Sequence, residues 1–323
     1  MFLCGVDEKM KVSCLKCGAV AELEDGVCPR CGAKLRRPKV QNKADKKRRR
    51  LPSNNPKTVQ TPSPSASLDR FVNRIICGDC LEILPQLPDN SVDLVVTSPP
   101  YNFGLDDYDV HDDAYDWEQY FARLNECWRQ CYRLLKDGGR ICVVVQPLFS
   151  DYVPTHHIIS AQLREAGFIF KAEILWEKHN YNCKYTAWGS WCSPSQPYLK
   201  YTWEFIEVFC KGSQKKPAAG KESDLLPDEF KRWVYAKWEI APETRMKKFG
   251  HPSMFPEEIP RRLIKLFSYV GDVVLDPFNG VGTSTVVAAQ LGRRFVGIDI
   301  SPRYCEVAEQ RLKEALRQKA LFK

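Results

Sequence analysis

From Leu68 onward, short apolar β-branched runs alternate with amphipathic stretches. The strand-like runs are RIIC (74–77), VDLVVTS (92–98), RICVVVQ (140–146), a run from Phe168 to Trp176, FIEVFCK (205–211), DVVLD (272–276) and RFVGID (294–299). Helical spacing of apolar positions falls between them, over 115–136, 154–166, 257–269, 283–292 and 302–320. Strands alternating with helices predict an α/β domain with a mostly parallel sheet covered on both faces. Residues 180–250 break the rhythm with aromatics, Pro, Gly and Lys in no clear period, as a recognition insertion or long loop does.

The first 68 residues belong to other classes. Cys14-x2-Cys17 and Cys28-x2-Cys31 stand ten residues apart, each pair followed by glycine. A CxxCG turn points two thiolates at one ion, and two such turns complete a tetrahedral Cys4 zinc site. The segment resembles a zinc ribbon over residues 1–35, and so short a piece draws its stability from the metal. Residues 36–68 are rich in Lys, Arg, Pro and Ser, hold ten basic residues against Asp45 alone, and read as a disordered basic linker. Of the net charge of +8, this linker carries +9 and residues 1–35 carry none, leaving about −1 on 69–323. A nearly neutral domain on a basic tether points to an acidic polymer as partner.

With 323 residues, 44% hydrophobic and 27% charged, the chain has material for one large domain plus an appendage. That composition excludes wholesale disorder, collagen and a small disulfide scaffold. No run approaches the roughly 18 apolar residues of a membrane helix, and MFLCGVDEK lacks the apolar core of a secretory signal. Ten of the fourteen cysteines lie outside the CxxC pairs without framework spacing, so a soluble protein of the reducing cytoplasm is expected.

Two runs carry candidate chemistry. Ser98-Pro99-Pro100-Tyr101 directly follows the strand VDLVVT; consecutive prolines fix the backbone, turn a carbonyl outward and leave no N–H to compete for it. Asp276-Pro277-Phe278-Asn279-Gly280-Val281-Gly282-Thr283 follows DVVLD and opens the next helix. There the glycines let a ligand approach the backbone at a helix amino terminus, and Asp299, about twenty residues on, is placed for ribose hydroxyls. No Gly-Lys-Ser/Thr follows, which disfavours phosphate transfer.

Taken with Cys77-Gly78-Asp79-Cys80, Asp137-Gly138-Gly139-Arg140, Trp176-Glu177-Lys178 and His251-Pro252-Ser253-Met254-Phe255-Pro256, these runs resemble the amino-group DNA methyltransferases over residues 70–315. The order, with the catalytic run before the cofactor glycines, is similar to that of the permuted beta group. The resemblance implies a Rossmann-like methyltransferase fold, S-adenosylmethionine as cofactor, double-stranded DNA as substrate, and target recognition at about 180–250. It implies that Ser98 and the Pro99 carbonyl, on the Pro99-Pro100 turn, accept hydrogen bonds from a base amine while Tyr101 stacks on the flipped base. Phe278, Gly280 and Gly282, with Thr283 opening the helix, then wrap the methionine and sugar, Asp299 takes the ribose, and Asp79 takes the adenine amine or merely caps the next helix. Asp276 contacts the methionine ammonium or braces the glycine loop, and His251 and Phe255 close the pocket unless His251 is structural.

In that family, Ser at the first motif position goes with cytosine N4 and Asp or Asn with adenine N6, so Ser98 favours cytosine, with adenine as the alternative. No cysteine follows a proline, which argues against ring-carbon methylation. Trp188, Trp191, Tyr198, Trp203 and the lysines of KGSQKKPAAGK are the candidate DNA contacts. The context expected is prokaryotic or phage, with a cognate restriction endonuclease as possible partner. A non-catalytic DNA-binding or regulatory protein on the same fold is the alternative of another class, and the intact SPPY and glycine runs count against it.

Overall fold

The computed structural model describes residues 11–13, 20–22, 67–102, 116–147, 153–179, 189–218 and 220–321. The chain divides into two compact units, 1–60 and 61–323. In the first, β1 (Lys11–Ser13) and β2 (Val20–Glu22) pair antiparallel. The four expected zinc ligands, Cys14, Cys17, Cys28 and Cys31, lie outside the described residues, as does the basic linker up to residue 66.

The second unit runs β3 (Arg74–Cys77), α1 (Cys80–Ile83), β4 (Val92–Thr97), α2 (Trp117–Leu134), β5 (Leu135–Val145), α3 (Thr155–Glu165), β6 (Ile169–Glu177), β7 (Trp203–Cys210), α4 (Pro227–Trp233), β8 (Lys237–Glu239), α5 (Met246–Phe249), α6 (Glu258–Phe267), β9 (Val273–Asp276), α7 (Thr283–Gln290), β10 (Arg294–Asp299) and α8 (Pro302–Leu321). Its eight strands lie in the order β3-β10-β9-β4-β5-β7-β6-β8. Only β7 runs against the others, pairing antiparallel with β5 and β6, so the expected mostly parallel α/β sheet is present.

Successive side chains of a strand point to opposite faces, and both faces here are covered. On β5, Ile141, Val143 and Val145 join one core with Tyr120, Leu124 and Trp128 of α2 and Ile159 and Leu163 of α3. Cys142 and Val144 join the other, with Ile259 and Leu263 of α6 and Val287 of α7. The buried positions of α2, Tyr120, Leu124, Cys127, Trp128, Cys131 and Leu134, recur every three or four residues, as one core-facing stripe requires. Helix α7 is buried all round from Thr283 to Ala289, which explains its run of small and β-branched residues.

Two local expectations change. Strand β5 begins at Leu135, not at Arg140; the register against β4 slips between Val92 and Leu94, so the Asp137–Arg140 run is an irregularity within the strand and not the turn before it. Inside 180–250, β7 is an interior strand and β8 extends the sheet beyond β6, with α4 and α5 beside them. These short elements have too few residues to display a period.

Candidate active site

Strands β4 and β9 are neighbours, yet the chain leaves β4 towards β5 on one side and β9 towards β10 on the other. A crevice opens at such a switch point, beyond the carboxyl ends of the strands, and ligands bind there in open α/β sheets. It lies between the two runs of candidate chemistry. Thr97 Oγ1, the last residue of β4, donates to Asp276 Oδ1 at the end of β9 over 2.7 Å, joining positions 179 residues apart.

On the β4 side, Pro99 is buried and Ser98 half-buried. The Tyr120 hydroxyl donates to the Pro100 carbonyl over 2.7 Å, fixing the diproline turn against α2. Ser98 Oγ donates to the Tyr101 hydroxyl at 3.3 Å, and that hydroxyl donates to Glu204 Oε2 at 3.1 Å. Glu204, at the start of β7, is itself buried and ion-paired with Lys178. Tyr101 is only 6% exposed, so its ring meets a ligand only when neighbouring atoms move aside.

On the β9 side, Asp276 is buried, and burial pushes its carboxyl up to about 6 against the hydrogen bonds from Thr97 and the Phe278 N–H. Asp299 accepts from the Gly280 N–H at 2.7 Å and the Ser301 N–H at 2.9 Å, and burial raises its pKa as well. Phe278 sets its edge against Trp128. Gly280 has φ +49°, and a Cβ there would stand 3.0 Å from His251 Nε2. Burial lowers the His251 pKa to about 4; its Nδ1 accepts from the Ser253 N–H, so the neutral ring presents Nε2–H to the glycine loop. Thr283 opens α7 and is buried.

The structure therefore brings Ser98, Pro99, Pro100 and Tyr101 to one crevice with Asp276, Phe278, Gly280, Gly282, Thr283, Asp299 and His251. Asp79 lies at its margin, where the Gly78 N–H meets the Asp299 carbonyl. Its carboxylate caps α1 through the Leu81 N–H at 2.9 Å and pairs with Arg123 at 2.6 Å, which matches the capping alternative. Phe255 packs against the core under α6 and α7.

Several residues at the site escaped the sequence. Arg311 of α8 donates to the Val281 carbonyl at 2.6 Å and to Glu257 at 2.8 Å, bracing the glycine loop from behind. It sits in a charge-rich helix with nothing to mark it. Glu204 did leave a trace, an acid inside an otherwise apolar strand.

The lysines of 211–221 are a correction. Strand β7 descends, so its carboxyl end and the following loop lie at the opposite edge of the sheet from the crevice. There Lys216 and Lys221 pair with the buried Asp93 and Asp272, and Lys211 donates to Asn90 and to the carbonyls of Arg133 and Leu135. Those three hold the loop to the sheet and are not DNA contacts. The β6–β7 connection leaves from the crevice edge, and in it Trp191 is 73% exposed, with Tyr198 and Tyr201 also exposed. Trp203 is half-buried and Trp188 lies outside the described residues.

Residues 92–310 match the family model of the DNA methylases that act at N6 and N4. The chain belongs to this DNA methylase family. It is 31% identical over 297 residues to the type II methyltransferase M.MjaI of Methanocaldococcus jannaschii, covering 79% of this chain and 95% of that one. With the type II methyltransferase M.HpaI of Haemophilus parainfluenzae it shares 31% identity over 249 residues, 74% of each chain. Among solved structures, a Thermus thermophilus protein classed as a DNA modification methylase superposes with a TM-score of 0.61 at 33% identity, covering 75% of this chain and 95% of that one. The same protein complexed with S-adenosyl-L-methionine gives 0.60. The cytosine-N4-specific PvuII DNA methyltransferase shares the fold, with a TM-score of 0.56 at 19% identity. Among the described residues no helix is long and apolar enough to cross a membrane.

Proposed function

We propose that this methylase transfers the methyl group of S-adenosylmethionine to the exocyclic amine of a base flipped from double-stranded DNA, at cytosine N4 in preference to adenine N6. The observation that carries this is the junction of the Ser98–Tyr101 loop and the glycine loop at the switch point, locked by the Thr97–Asp276 hydrogen bond. Two carboxylates made reluctant to ionise by burial, beside a loop free of Cβ atoms, suit a cosubstrate with ammonium and sulfonium charges and ribose hydroxyls. When bound, S-adenosylmethionine supplies a sulfonium-activated methyl group. Asp276 faces the methionine ammonium, Asp299 keeps lone pairs for the ribose, Phe278, Gly280, Gly282 and Thr283 line the loop, His251 and Phe255 close it, and Asp79 retains lone pairs for the adenine amine.

A base amine is a weak nucleophile because its lone pair is delocalised into the ring. Acceptors at Ser98 Oγ and the Pro99 carbonyl orient its N–H groups, and Tyr101 stacks on the extruded base. Ser98, in place of Asp or Asn, is the ground for cytosine. The β6–β7 connection, with its exposed aromatics at the crevice edge, reads the target, and a cognate endonuclease is the natural partner of a type II enzyme. The Cys4 zinc module and basic arm add non-specific DNA affinity. Incubation with duplex DNA and S-adenosylmethionine, digestion to nucleosides and mass spectrometry test the assignment. Methylation on the cytosine amine is expected; methyladenine overturns the base choice, and no product on varied DNA overturns the assignment.

After β8, residues 240–256 cross the crevice edge towards His251 and expose Arg245, Lys247 and Lys248. Phosphates are their fitting partners. Reversing Lys247 and Lys248 to Glu is expected to weaken binding to all duplex sequences alike and to flatten the plot of log affinity against log salt by about 2 in slope. An unchanged slope in a fluorescence-anisotropy titration removes this edge from the DNA path.

A further inference from the structure

We propose that Glu204 sets the direction of the hydrogen-bond chain that makes the neutral Ser98 an acceptor, and receives the proton the target amine gives up. The proposal rests on the contact of Ser98 with the base amine put forward above. A serine hydroxyl can donate as readily as it accepts, so alone it does not define how an amine N–H is held. An ionised carboxylate only accepts. Glu204 Oε2 takes the Tyr101 proton at 3.1 Å, which leaves the tyrosine oxygen to accept from Ser98 Oγ at 3.3 Å, which in turn leaves the serine lone pairs facing outward. The ion pair with Lys178 keeps Glu204 charged although it is 4% exposed. A carboxylate from β7 thus imposes on Ser98 the polarity that an aspartate at the same position would have by itself.

The same chain balances the transfer. The amine nitrogen uses its lone pair to bond the methyl carbon, and the carbon–sulfur bond breaks with its electron pair retained by sulfur. One N–H proton then passes to Ser98 Oγ, the serine proton to the Tyr101 oxygen and the tyrosine proton to Glu204 Oε2. Every hydroxyl ends as it began, the carboxylate becomes neutral, and the proton later returns to water. Glu204 never touches the base, so it is a positioning residue acting through Tyr101 and Ser98.

Glu204→Gln tests this in the full-length enzyme, because an amide can donate to Tyr101 and reverse the chain. Single-turnover methylation is expected to slow by about 100-fold. Cosubstrate affinity by calorimetry and melting temperature are expected to stay near wild type, and the acid limb of the pH–rate profile to disappear. Adding Ser98→Asp to Glu204→Gln is expected to recover at least about tenfold of the rate, since a carboxylate at 98 accepts directly. A wild-type rate in Glu204→Gln overturns the proposal, and so does a loss that Ser98→Asp leaves unrepaired. Ser98→Ala separates the two levels: if it is inactive while Glu204→Gln is not, only the role of Glu204 falls; if it retains full rate, the Ser98 contact itself falls.

Discussion

Asp276→Asn is expected to make the protein more stable at pH 7 and to weaken S-adenosylmethionine binding about 100-fold. Burial holds the Asp276 carboxyl at about 6, against roughly 3.9 in an unfolded chain. Between those two values the folded chain binds more protons than the unfolded one, so stability falls as pH rises through the window, and the full cost is present at pH 7. Two units correspond to about 3 kcal/mol. Asparagine keeps the oxygen that accepts from Thr97 and the Phe278 N–H while removing the charge. Its amide N–H groups need partners in a buried place, so the net gain is about 1 to 2 kcal/mol, or about 5 °C in Tm. Thermal scans check the sign: wild type and variant should nearly coincide near pH 4 and separate by pH 7. A variant less stable than wild type at pH 7 refutes it. The affinity loss follows from removing a buried anion facing an ammonium, worth about 3 kcal/mol. Calorimetry that finds unchanged affinity reduces Asp276 to a brace for the glycine loop.

Gly282→Val is expected to lower Tm by about 10 °C and abolish methylation. Gly282 precedes α7 with φ +83°, which a β-branched residue adopts only under strain, and a Cβ there would stand 2.8 Å from Ala308 Cβ and 3.2 Å from Ala308 Cα. Those atoms belong to α8, whose backbone cannot rotate away as a flexible side chain would. Strain and overpacking contribute about 1–3 kcal/mol each, together about 4 kcal/mol. Ala308→Gly in the same chain removes the contact and leaves the strain, so calorimetry should show partial recovery of Tm. A single variant melting within about 2 °C of wild type contradicts the packing described.

Much of the fold was legible along the chain because burial is periodic where elements are long. The strands at 74–77, 92–97 and 294–299 and the helices at 117–134, 258–267 and 302–321 lie within about two residues of the positions read from the pattern. The Ser98–Tyr101 and Asp276–Thr283 runs were visible because Pro and Gly restrict or free the backbone locally, whatever surrounds them. Lys216 and Lys221 were misread because a lysine beside glycines has the same composition whether it meets a phosphate or a buried aspartate. Strand direction decided between them by sending that loop to the far edge of the sheet.

What the sequence by itself determined is the class of each element and the two runs that carry the chemistry, since both follow from interactions between near neighbours. The tertiary structure alone decided that Thr97 meets Asp276 and that Glu204 closes on Tyr101. It also decided that Arg311 supports the glycine loop and that Asp79 is held by Arg123. These contacts join residues 30 to 179 positions apart. They depend on which strand lies beside which, an order set by the packing of the whole sheet and not by any local run of side chains.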